Sequence, residues 1–162
     1  MKKVLVLLGF LIFFLAGCKT LSPDVTAVTT GLEFSAEVIA DDKEYSLFVT
    51  VSQDGSISIS DLSNGATFSF ENEQITVSFD GINHKTELSQ NLENSVIGYI
   101  FSVLKSASLK KDEVYFKDGE YYIFDKADGF DYILYLGQTG LPLKLCDTEH
   151  NIQIDITNAA II

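Results

Sequence analysis

From Gly31 onward apolar and polar residues alternate with a period of two, and the period changes only once, over residues 92–104. Alternation puts every second side chain on one face, so each such run is a half-buried strand. Leu32, Phe34, Ala36 and Val38 alternate with Glu33, Ser35 and Glu37; Tyr45, Leu47, Val49 and Val51 alternate with Ser46 and Thr50. Ile57 and Ile59, Phe68 and Phe70, then Ile75, Val77 and Phe79 continue the pattern. Between the runs stand Asp41-Asp42, Asp54-Gly55, Asn64-Gly65, Asn72-Glu73 and Asp80-Gly81, residue pairs that suit tight hairpins. Neighbours in sequence are therefore expected to be antiparallel neighbours in space.

Over residues 92–104 the apolar positions Leu92, Val96, Ile97, Tyr99, Ile100, Phe101, Val103 and Leu104 take helical spacing. Asn91 is the expected N-cap, and Lys105, Lys110 and Lys111 are expected beyond the C-terminal end, where cations suit the helix dipole. The apolar stripe is wide, so this helix must be covered on most sides. Strands then resume at 114–116, 121–124, 132–136, 141–145 and 152–156, with a short one at 82–87 before the helix. The expectation is eleven strands and one helix. A meander of that length must curl. The expected fold is mainly β: an antiparallel half-open β-barrel covering a lid or plug helix.

The N-terminus carries a different signal. Lys2 and Lys3 precede an apolar run from Val4 to Ala16, too short for a comfortable membrane span and suited to a signal peptide. Leu15-Ala16-Gly17-Cys18 follows, and resembles the lipobox of bacterial lipoproteins. The resemblance implies cleavage after Gly17 and a diacylglyceryl group, with palmitate-type chains, on the Cys18 sulfur. The expected organisation is a signal peptide at 1–17, lipidated Cys18 with a Ser/Thr/Pro-containing tether at 18–30, and one domain at 31–162. The expected location is the extracytoplasmic face of the cell membrane.

Charge limits the partners. The formal net charge is −12, and all eleven basic residues are Lys. Without Lys2 and Lys3, nine lysines face 23 acids, a net of −14. Such a body repels nucleic acid and anionic headgroups, so it is expected to hang from a membrane as a monomer without lying on it. With Cys18 lipidated, Cys146 is the remaining thiol, and no internal disulfide forms.

The order of elements resembles the LolA/LolB lipoprotein-carrier fold, shared with the stress sensor RseB. The closest likeness is Thr139-Gly140-Leu141-Pro142-Leu143-Lys144-Leu145, then Ile152-Gln153-Ile154-Asp155-Ile156-Thr157-Asn158, which is similar to that family's last hairpin. The resemblance implies an unclosed barrel with a helical lid and an apolar cavity able to take a lipid or lipoprotein chain. The residues expected to line it are Phe34, Leu47, Val49, Phe68, Phe70, Val77, Phe79, Ile97, Ile100, Phe101, Leu104, Tyr122, Phe124 and Leu134. Tyr115, Tyr122 and Tyr135 are set against Phe116, Phe124 and Leu134 on the opposite face of their strands. A dry, filled core would leave the same residue pattern, and would make the domain an envelope interaction or sensor module.

Catalysis finds no motif. There is no G-x-S-x-G elbow and no phosphate-binding loop. His84 and His150 lie far apart in sequence, and no metal or cofactor is expected. Asp125, Asp128 and Asp131 around Gly129 offer oxygen ligands, but the spacing is not that of a calcium loop, and a solvated hairpin tip is the expected role.

Overall fold

The computed structural model describes residues 31–40, 43–71, 74–87, 95–110, 113–147 and 152–162. The signal peptide, Cys18, Asn91 and His150 lie outside the described residues, as do the expected turns at 41–42, 72–73 and 149–151. Eleven strands are described: β1 Leu32–Ala40, β2 Lys43–Val51, β3 Ile57–Asp61, β4 Thr67–Glu71, β5 Gln74–Phe79, β6 Ile82–Glu87, β7 Tyr115–Lys117, β8 Glu120–Ala127, β9 Phe130–Leu136, β10 Pro142–Asp147 and β11 Gln153–Ile161. One helix, α1 (Val96–Leu109), separates β6 from β7.

All strands belong to one antiparallel sheet of order β6-β5-β4-β3-β2-β1-β11-β10-β9-β8-β7. Consecutive strands pair as hairpins, as the turn residues require. Three of the turns are two-residue Asp-Gly loops with both residues at positive φ: Asp80-Gly81, Asp118-Gly119 and Asp128-Gly129. That is the turn type whose twist matches the flanking strands. The long-range step is the pairing of β1 with β11, from Leu32 opposite Ile161 to Ile39 opposite Gln153. It places the first and last strands at the centre and leaves β6 and β7, the two strands flanking the helix, as free edges.

The sheet curls around α1. The Phe101 ring stacks on Phe70 of β4, with centroids 4.1 Å apart. The next residue, Ser102, donates from its hydroxyl to Asp128 between β8 and β9, at 2.6 Å. β4 and β8 are seven strand steps apart, about 34 Å across a flat sheet. A helix is only about 10 Å wide. Adjacent residues can reach both strands only if the sheet folds round into an open, incompletely closed barrel. The helix then lies inside it, between the two wings.

The inner face follows from the register. Phe34 pairs with Val49, Val49 with Ile59, Ile59 with Phe68 and Phe68 with Val77. Leu32, Phe34, Ala36, Val38, Leu47, Val49, Ile59, Ile123, Tyr132, Leu134 and Ile154 are buried, as are Ile100, Val103, Leu104 and Ala107 of the helix. The core is therefore one inner sheet face plus one helix stripe, all within residues 31–162.

Helix details differ from expectation. The N-cap is Ser95, whose Oγ accepts from the Gly98 N–H at 3.1 Å. A Ser hydroxyl at that position satisfies one of the free N–H groups of the first turn. The helix continues one turn past Leu104, so Lys105 lies inside it and Lys110 forms its C-cap. Alternation and helical spacing overlap at such ends, which is why the boundary moved.

Candidate functional site

The helix divides into three stripes. Ile100, Val103, Leu104 and Ala107 recur at i, i+3, i+4 and i+7 and are buried against the sheet. Tyr99, Ser102 and Ser106 turn toward β8 and β9. Tyr99 meets Phe130 edge to face at 5.5 Å, Ser106 Oγ donates to Asp125 at 3.2 Å, and Tyr132 donates its hydroxyl to Ser106 at 3.2 Å. Ile97, Phe101 and Lys105 form the third stripe, and Phe101 carries it onto β4. One flank of α1 is thus bolted by polar contacts, and the other rests on an aromatic stack.

Beyond that stack the inner wall continues without full cover. Phe68 and Val77 face inward and are half-buried. Phe79 pairs with Ile82 on the same face, and the two are 53% and 73% exposed. Across β5 and β6 the inner face also carries His84 opposite Val77 and Thr86 opposite Ile75. With Ile97 and Phe101 on the helix side, these residues make an apolar trough beside the free edge of β6. Phe68, Val77, Phe79 and Ile82 thus form a stretch of apolar wall that meets solvent on this wing of the sheet.

The expected lining residues divide accordingly. Phe34, Leu47, Val49, Phe70, Ile100, Leu104 and Leu134 are buried in the packed core. Phe68, Val77 and Phe79 share the trough's sheet side, Phe101 reaches that wing through its stack on Phe70, and Ile97 stands four residues before Phe101 on the same helix flank. Tyr122 and Phe124 do not face inward. They pair with Tyr135 and Ile133, while the inward positions of the same ladder are Ile123 and Leu134. Residues two apart share a face, so Phe124 stands on the same outer face as Tyr122 and not opposite it. There Tyr115, Tyr122 and Tyr135 form a ladder with centroids 5.7 and 6.4 Å apart.

The acidic turn is also different from expectation. Asp125 and Asp128 receive the serine hydroxyls of α1 and so fasten the helix, while Asp131 pairs with Lys126 at 3.1 Å. Among the described residues no group of three or more His, Cys, Asp or Glu is placed to hold a metal ion. Cys146 is half-buried, and burial pushes its thiol pKa up, with Lys144 acting in the opposite direction.

Sequence reasoning passed over Ile82 and the serines. A two-residue Asp-Gly turn sets Ile82 across from Phe79, so the hairpin rule alone could have found it. Ser102 and Ser106, four apart in an apolar helix, were the sign of a polar flank.

No family model matches the sequence, and no curated protein matches it significantly. Among solved structures, the LolA superfamily protein NE2245 from Nitrosomonas europaea is similar, with a TM-score of 0.47 and 11% identity over 86% of this chain and 90% of that one. MucB is similar with a TM-score of 0.40 and 14% identity, over 85% of this chain and 55% of that one. MucB in complex with MucA(peri) gives 0.37 and 13%, over 84% of this chain and 52% of that one. This chain therefore spans about half the length of MucB. The likeness is one of fold outline, and no ligand or partner follows from it. The described residues form an open antiparallel sheet of eleven strands with one helix between its free edges.

Proposed function

We propose that this chain is an extracytoplasmic lipoprotein, anchored through a lipidated Cys18 and a tether up to residue 30, whose domain at 31–162 holds the acyl chain of a lipid or lipidated partner in the trough beside α1. The observation that supports this is the stretch of inner wall at Phe68, Val77, Phe79 and Ile82, apolar and incompletely covered beside the free edge of β6. Each buried methylene of a chain contributes about 0.8 kcal/mol, so half an acyl tail suffices for useful binding. The helix flank facing the trough is held by apolar packing, the Phe101–Phe70 stack included, and can yield more readily than the flank held by hydroxyl–carboxylate contacts.

The test has two parts. In membranes, mass analysis of the mature protein is expected to show an N-terminal diacylglyceryl Cys18, and Cys18→Ser is expected to release the body into the soluble fraction. With the soluble body, native mass spectrometry after exposure to lipid extract is expected to show single-lipid adducts that Val77→Asp removes. A body without adducts, or adducts indifferent to Val77→Asp, would rule the reading out.

A second reading rests on the outer face, where the Tyr115-Tyr122-Tyr135 ladder and half-exposed Phe124 make an aromatic surface suited to an envelope protein partner. It requires that Tyr122→Ala abolish capture of one defined membrane partner while lipid adducts persist.

A further inference from the structure

The trough has a cation at its helix side, and this names the class of amphiphile, resting on the acyl-binding reading above. Ile97, Phe101 and Lys105 follow one another at four-residue intervals, so they stand in line along one flank of α1. The Lys105 ammonium lies 5.8 Å from the centroid of the Phe101 ring, which is itself stacked on Phe70 of the inner wall. Among the described residues Lys105 makes no ion pair; the pairs that exist are Lys110 with Glu113 and Lys126 with Asp131.

In a body of net charge −14, any anion approaching the trough is repelled unless a local cation offsets the field. Lys105 is exposed and supplies that charge beside apolar surface. A neutral head gains nothing from it, and a cationic head is repelled by it. Phe68 lies one pleat repeat, about 7 Å, from Phe70. The ammonium and the uncovered wall are therefore separated by roughly the length of one acyl chain, about 15 Å in one leaflet.

We propose that the trough takes a single-chain amphiphile with an anionic head, the chain against Phe68, Val77 and Ile97 and the carboxylate or phosphate on the Lys105 ammonium. The soluble body is titrated by calorimetry with palmitate, with palmitoyl lysophosphatidic acid and with neutral monopalmitin, all below their aggregation concentrations. The two acids are expected to bind about tenfold tighter than monopalmitin, the tighter of the two identifying the head. Lys105→Met, which keeps the stem over Phe101, is expected to erase that difference without changing monopalmitin, and Lys105→Arg to restore it. Equal affinity for all three, or acids indifferent to Lys105→Met, would overturn this inference and leave the acyl-binding reading standing. No binding of any of the three would overturn both.

Discussion

Single side chains decide how firmly the helix is held. Ser102 donates to Asp128 and Ser106 to Asp125, while Tyr132 donates to Ser106, so a small network ties α1 to the β8–β9 hairpin. Hydrogen bonds to a charged acceptor contribute about 1.5–3 kcal/mol when shielded, less where water can replace the donor. Ser102→Ala is expected to cost about 1 kcal/mol in urea unfolding, because Asp128 is exposed enough to find water. Tyr99 is the counter-case: its hydroxyl is buried with no hydrogen-bond partner among the described residues. Burial, reinforced by the Asp147 carboxylate, pushes its pKa far above the ordinary value of 10.0, and burial raises that of Tyr132 as well. Above pH 10 the unfolded chain loses these protons while the folded chain keeps them. The unfolded state then binds fewer protons, and stability falls as pH rises. Melting temperature is expected to hold between pH 7 and 9 and to drop from about pH 10 upward, a drop that Tyr99→Phe should reduce.

Among the elements, α1 is the least symmetrically supported. Its two flanks meet different chemistry: hydroxyl–carboxylate contacts on one side, and apolar packing that includes the Phe101–Phe70 stack on the side next to the trough. Phe101→Ala is expected to cost on the order of 2–3 kcal/mol, below the value for a fully buried ring, since Phe101 is half-buried. Its diagnostic readout is hydrogen exchange: amides of α1 should lose protection ahead of those of β1 and β2. The free edges are handled differently. β6 reads Ile82-Asn83-His84-Lys85-Thr86-Glu87 and is exposed throughout, polar enough to discourage strand addition. β7 is only three residues long.

For the molecule as a whole, the β1–β11 pairing joins two half-sheets that are otherwise separate runs of hairpins. Gly31 shows how tightly that junction closes: its carbonyl accepts from the Ile162 N–H at 2.7 Å, and an added Cβ would stand 2.8 Å from the Ile162 carbonyl oxygen. Removing residues 153–162 exposes inner-facing apolar residues of β1 and β10 at once. That truncation is expected to abolish the folded state as judged by near-ultraviolet circular dichroism, whereas the body from Gly31 to Ile162 should unfold in one cooperative step.

The hairpins, their Asp-Gly turns, the helix between β6 and β7 and the alternation of faces along each strand were set by the sequence alone, because these depend on side-chain period and on local backbone preference. Phe68, Val77, Phe79, Ile97 and Phe101 were legible as wall and helix residues for the same reason. Tyr122 and Phe124 were misplaced because a strand with apolar residues on both faces does not reveal which face turns inward. Only the tertiary structure decided that β1 meets β11, that the barrel stays open between β6 and β7, and that Asp125 and Asp128 bind the helix instead of solvent. Those are contacts between residues distant in the chain, chosen by the closing of one shared core around a helix, and no local period carries that information.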